Sequence, residues 1–280
     1  MALEHPRTRE FLGTLHSTNT RRSYELALAQ FFGLCGKPPG RVKPVDVVAF
    51  KRHLESGGRS TSTMLTYLSA VRSFFQYCCR ADYIPKDPTR ALKLQKPKAK
   101  PTRALGQPEI KKLLAAPDRR TAKGRRDHAL IAFLYSTGAR VSEVLSVRGE
   151  NFHERGGQLY VDFRRKGGKW TKQPIWIPPK ARKSLEAHAG RFGTWTPGRV
   201  FDLTAEGVRY ILRVYGNGQK ITPHQLRASC LTAMKEGGAS LVQVQAQAGH
   251  ASPVTTERYL DPARVAPINA IAARKFNPMG

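Results

Sequence analysis

His224 and Arg227 stand three residues apart, His250 follows twenty-three residues later, and Tyr259 lies nine beyond that. Positions i and i+3 share one face of a helix, so the first two can address one target. Arginine carries a planar cationic fork that matches phosphate oxygens. Histidine moves protons near neutral pH, and an activated tyrosine hydroxyl is a covalent nucleophile. Together these types suggest phosphoryl transfer through a tyrosine. Two further groups lie upstream. Arg140 and Glu143 have helical spacing, and Lys166 precedes the Gly167-Gly168 pair of a basic turn. By itself the first pair reads as a surface ion pair worth little, and Lys166 also reads as a solvated turn lysine. The apolar run just before Arg140 favours an interior position for it.

Periodicity places these residues on a mainly helical chain with one small antiparallel β-sheet. Helices are expected over 4–14, from a cap at Thr18 or Thr20 through Cys35, from Pro44 to the Gly57-Gly58 pair, and from Ser60 or Ser62 towards Ile84. The last carries Leu65, Leu68, Val71, Phe74, Phe75 and Cys78 on its inner side. Residues 1–90 thus read as a helical bundle whose aromatics form a core. Residues 91–104, with their Lys-Pro alternation, read as a basic extended linker. It serves either as a plain spacer or as a clamp segment along a phosphate backbone. Residues 105–280 read as a second domain. Helices are expected at Gln107–Ala115, at 127–137 with a break at Gly138, at 179–191 and at 205–215, with His188 exposed. QLYVDF and QPIWIP form a hairpin around RRKGGKWTK. After Asp261-Pro262, residues 265–276 form an amphipathic tail helix that docks on its own domain or on a neighbouring subunit.

Charge narrows the partner. Lys and Arg number 48 against 20 Asp and Glu, a formal +28 over 280 residues. The excess is shared: residues 1–98 carry net +10 and the remainder +18. Cationic surfaces of this kind gain affinity for nucleic acid by releasing its counterions. No basic amphipathic anchor, lipidation signal, signal peptide or spanning apolar run points to a membrane. The four cysteines, Cys35, Cys78, Cys79 and Cys230, form no C-x-x-C pair and read as reduced thiols. A soluble cytoplasmic protein is expected, without metal or other cofactor.

The motifs STGARVSEVLSV, RRKGGKW followed by QPIWIP, HQLRAS and AGHASPVTTERYLD, in that order, resemble the tyrosine recombinases, or phage integrase family, which includes the Xer chromosome-dimer resolvases. The resemblance covers residues 105–262 well, while residues 1–90 match in kind as the family's helical, SAM-like core-binding domain. One departure is Ala248, where leucine usually precedes Gly-His. The resemblance implies a two-domain DNA clamp with catalytic residues Arg140, Lys166, His224, Arg227, His250 and the nucleophile Tyr259, with Glu143 supporting the pocket. It implies site-specific recombination through a 3′-phosphotyrosyl link and a Holliday junction. The expected partners are double-stranded DNA, a homotetramer or a heterotetramer with a second recombinase, and an accessory protein. A chain beginning at the core-binding domain, with no large insertion before His250, suggests an Xer-type role or a compact mobile-element recombinase. The rival readings are a type IB topoisomerase and a catalytically silent DNA-binding protein.

Overall fold

A computed structural model describes residues 5–94, 102–164, 170–171, 174–195 and 198–249. The chain divides into two compact units, Met1–Lys98 and Ala99–Gly280. In the first, α1 (Pro6–Gly13), α2 (Thr18–Cys35), α3 (Pro44–Ser56) and α4 (Thr61–Arg80) surround one core. Proline opens α1 and α3, where its missing N–H is no loss. The cap of α2 is Ser17, whose hydroxyl accepts from the Thr20 amide; Thr18 and Thr20 already belong to the helix. Ser60 caps α4 in the same way. That helix stops at Arg80, short of Ile84. Phe11, Phe31, Phe32, Phe50, Phe74 and Phe75 are all buried, most of them meeting edge to face. They are core, as their spacing requires; Leu65 is only half-buried at its margin.

The second unit is built on α6 (Ala122–Thr137). Every residue from Ala129 to Thr137 is buried, so this helix runs enclosed rather than along the surface. α5 (Gln107–Ala115), α8 (Pro179–Ala189) and α10 (Pro223–Glu236) pack on it. α7 (Val141–Ser146), α9 (Ala205–Tyr215) and α11 (Leu241–Ala248) complete the helices. The sheet has three antiparallel strands in the order β1 (Phe152–Arg155), β2 (Gln158–Val161), β3 (Ile175–Ile177). β1 escaped the sequence reading because Phe152 is its one buried position and its other three residues, HER, give no alternating signal. Leu159, Val161, Ile175 and Ile177 point one way into the core. Among the described residues no helix is long and apolar enough to cross a membrane.

Asp127, fully buried in the first half of α6, is held by Lys123 at 3.0 Å and Arg126 at 2.8 Å, and accepts from the Tyr215 hydroxyl at 3.0 Å. This network fixes the end of α9 against α6. His188 departs from expectation: it is half-buried, stacked on Phe201, with Nε2 3.0 Å from the Val200 carbonyl. Its neighbours come from a segment twelve residues away, which helical spacing does not reveal.

Candidate active site

α6 ends at Gly138, whose φ of +61° is the left-handed cap that glycine adopts without strain. A β-carbon there would lie 3.1 Å from the Cys230 sulfur. The turn delivers Arg140 to the N-terminus of α7. Glu143, 3% exposed, accepts the Arg140 amide at 2.8 Å through one oxygen and its guanidinium at 2.9 Å through the other. The carboxylate is therefore no surface partner. It is a buried anchor that caps α7 and aims Arg140, whose side chain keeps 34% of its surface open. The burial of Val144 and Ala139 on either side carries the pair inward.

Arg227 is 1% exposed, the bulkiest fully buried side chain among the described residues. It projects from the first half of α10, which is started by Thr222 and Gln225 in a reciprocal cap with Pro223 at the first helical position. One terminal nitrogen donates to the Gly138 carbonyl, and the other to the Ala248 carbonyl at 2.7 Å. These are the C-terminal ends of α6 and α11, where unpaired carbonyls concentrate negative charge. A guanidinium between two such ends is electrostatically placed, and these bonds use two of its five N–H donors. Gln247 reinforces the junction by donating to the Thr137 carbonyl at 2.9 Å. Neither Gln247 nor the two carbonyls was singled out in the sequence; backbone acceptors carry no residue signature.

His224 is exposed in the first turn of α10. Its pKa lies below the ordinary imidazole value because of partial desolvation, then the nearby Arg227 and Arg140 charges. His224 stands one turn before Arg227 on α10, and Arg227 donates to the Gly138 carbonyl two residues before Arg140, so the three groups share one region. Arg140, Glu143, His224 and Arg227 are thus brought together. Lys166, His250 and Tyr259 lie outside the described residues, as does the expected tail helix. The hairpin stem is described on both sides of Lys166: Arg164 and Trp170 form an antiparallel bridge, offset by two residues from the β2–β3 register. Thr171 ties the stem by donating from its amide to the Phe163 carbonyl and from its hydroxyl to Asp162. Gly249, left-handed at φ +61°, ends α11 one residue before His250.

The arrangement offers one buried and one half-open guanidinium near an imidazole whose pKa is held below its ordinary value. It suits a tetrahedral phosphate that gains charge in its transition state. Similarity to known proteins agrees with that reading. The family model described as "Phage integrase family" matches residues 103–264, and that of the "Phage integrase, N-terminal SAM-like domain" matches 11–82. Tyrosine recombinase XerD of Listeria monocytogenes is 30% identical over 266 residues, covering 87% of this chain and 88% of its own. XerD of Pseudomonas aeruginosa is 31% identical over 290 residues, covering 94% of both. In fold, a lambda integrase dimer bound to a core site is similar with a TM-score of 0.72 at 15% identity, covering 97% of this chain and 95% of that one. The Tn1549 transposon integrase in complex with circular-intermediate DNA gives 0.68 at 16% identity, covering 95% and 96%. By family model, by identity along most of its length and by fold, the chain belongs to the phage integrase family, the tyrosine recombinases.

Proposed function

We propose that this chain is a site-specific DNA recombinase that cuts and rejoins strands through a covalent link to Tyr259. The observation that carries the reading is the joining of the two arginine anchors: Arg227 donates to the Gly138 carbonyl, two residues before the Glu143-held Arg140, and His224 stands one turn before Arg227 on α10. In the reaction, the Tyr259 hydroxyl oxygen bonds to the scissile phosphorus as the bond to the 5′-oxygen breaks. The product is a 3′-phosphotyrosyl strand and a free 5′-hydroxyl. Arg140 and Arg227 stabilise the charge that grows on the non-bridging oxygens, an effect for which one donor is worth about 10²–10³ in rate. His224 takes the tyrosine proton as general base, Lys166 protonates the leaving 5′-oxygen as general acid, and His250 hydrogen-bonds the phosphate. Glu143 keeps Arg140 aimed. One phosphodiester is exchanged for another of similar energy, so rejoining by the reverse attack is built in.

The partner in this proposal is double-stranded DNA, for which the net charge of +28 provides a sequence-independent attraction. Residues 1–90 form the helical core-binding domain, 91–104 a basic linker, and 105–280 the catalytic domain with its tail. Four subunits, of one kind or paired with a second recombinase, exchange strands on two duplexes through a Holliday junction. The role is of Xer type, chromosome-dimer resolution or the movement of a compact mobile element, in the cytoplasm. The test begins with selection of bound sequences from random DNA. A nicked suicide substrate carrying the selected site is then offered to wild type and Tyr259→Phe. A covalent protein–DNA band that disappears in the variant supports the nucleophile. A band that survives in Tyr259→Phe moves the nucleophile elsewhere. Relaxation of supercoiled DNA lacking the site, without strand exchange on DNA carrying it, favours a topoisomerase.

A further inference from the structure

A second cationic centre lies at the other end of α6. A cavity of about 440 Å³ opens between the first turns of α6, the turn before it and one stripe of α8. Arg119 from the turn, Arg125 from α6, and Lys180 and Lys183 from α8 line it. Lys180, Lys183, Ser184 and Ala187 recur at helical spacing, so one face of α8 supplies them all. Among the described residues no carboxylate lines the cavity, and none forms an ion pair with Arg119, Arg125 or Lys183. Leu114, Ala187 and the aliphatic stems of the basic residues give the cavity an apolar floor.

The site is structured, not a loose patch. Arg125 donates to the Arg120 carbonyl at 2.9 Å, which fixes its guanidinium beside the turn. Gly124 lets that turn close on α6: a β-carbon there would lie 1.9 Å from the Asp118 carbonyl oxygen. His128, half-buried, lines the same cavity, and burial and then Arg119 keep its pKa below the ordinary imidazole value. The cavity is remote from the recombination centre. Arg125 and Gly138 are thirteen residues apart on one helix, about 20 Å at 1.5 Å per residue.

The geometry points to a binding site for a short chain of phosphates, of the kind carried by nucleoside triphosphates or inorganic polyphosphate. A concave volume of this size fits a small ligand, whereas a duplex presents its phosphates on a convex ridge. The site is independent of the recombinase reading. Its test uses the full-length protein and inorganic tripolyphosphate at physiological salt, followed by calorimetry and by NMR of the His128 imidazole. The expected result is saturable one-to-one binding with a rise in the His128 pKa, since a bound anion favours the imidazolium. Arg119→Ala combined with Lys183→Ala weakens binding about tenfold or more through loss of two charge-assisted contacts. Arg140→Ala leaves the tripolyphosphate-induced rise in the His128 pKa unchanged, and Lys183→Arg restores most of what Lys183→Ala loses. ATP binding as tightly as tripolyphosphate identifies the phosphate chain as the recognised group; tighter binding of ATP adds the apolar floor as a base contact, and both outcomes support the site. The proposal is overturned if tripolyphosphate does not saturate or does not move His128. It is overturned equally if Arg140→Ala, rather than the double variant, abolishes binding. Duplex DNA without a recombination site shifting His128 where tripolyphosphate does not would make the cavity a backbone contact instead. If the double variant melts early, the His128 titration in wild type still decides.

Discussion

Arg227 has two duties in this fold, and Arg227→Lys separates them. The guanidinium spans the Gly138 carbonyl of one helix end and the Ala248 carbonyl of another. An ammonium is a point donor and reaches one of the two. The variant therefore loses about one charge-assisted hydrogen bond in a buried place, roughly 1.5–3 kcal/mol. For a unit of this size each kcal/mol moves the melting temperature by about 2–4 °C, so the shift should be about 3–12 °C. All three tryptophans, Trp170, Trp176 and Trp195, lie in the second unit. Tryptophan fluorescence in a thermal melt without DNA thus reports that unit alone. Cleavage, assayed well below both melting temperatures, should fall by about 10²–10³ because the fork no longer grips the phosphate. A melt within about 1 °C of wild type, too small for one lost buried bond, would refute the bridging account whatever cleavage did. A large melting shift with normal cleavage would refute the phosphate role and keep the structural one.

Three further outcomes follow from neighbouring groups. Glu143→Gln retains an acceptor for the Arg140 amide but loses the charge. It should cost about 1–2 kcal/mol in the same melt, while Glu143→Ala also loses the cap and should cost about 2–4; equal losses would assign the stability to the charge alone and none to the cap. The His224 pKa is depressed in the folded state, so its neutral form, and the stability that goes with it, is present above the unfolded pKa and is lost as pH falls through the folded one. Cleavage at subsaturating protein, which reports the free enzyme, should accordingly lose rate only at pH below the ordinary imidazole range, and His224→Gln should abolish that acid limb. Asp127→Asn removes the buried anion shared by Lys123, Arg126 and Tyr215, leaves only solvent-accessible cations behind, and should destabilise by about 1.5–3 kcal/mol. Urea titration followed by tryptophan fluorescence checks it, and a midpoint unchanged from wild type would mean that the network is dispensable.

The helices were legible because their signals are local. Pro44, Ser60, Gly138 and the apolar periods of α2, α4 and α6 each act within a turn or two of the residue that carries them. The pairing of Arg140 with Glu143 was legible by spacing and its inward position by the apolar run before Gly138, but not that Glu143 is the more deeply buried partner and caps α7. β1 was missed because a strand with one buried residue has no pattern to read. The Asp127 network was missed because its Tyr215 partner lies 88 residues away.

The least legible feature is also the one on which the centre depends. Arginine and histidine types announce a phosphate site, yet what holds Arg227 in place is two main-chain carbonyls, available in any sequence. Their position follows from where two helices stop, and glycine marks both stops: Gly138 directly after Thr137, and Gly249 directly after Ala248. Helix ends leave carbonyls unpaired, and a buried unpaired carbonyl is costly. A cation spanning both ends relieves that cost and is itself stabilised by the negative poles that it joins. The charge that receives a phosphate is thus paid for by the scaffold before any DNA arrives. The requirement falls on helix length as much as on side-chain type. Lengthening α11 by one residue before Gly249 would rotate the Ala248 carbonyl by about 100° about the helix axis, a consequence of 3.6 residues per turn. Such an insertion should depress the tryptophan melt as Arg227→Lys does; cleavage should fall as well, but the insertion also displaces His250 and Tyr259, so the melt is the readout that decides. An insertion that left the melt at its wild-type value would mean that the helix ends do not set the centre.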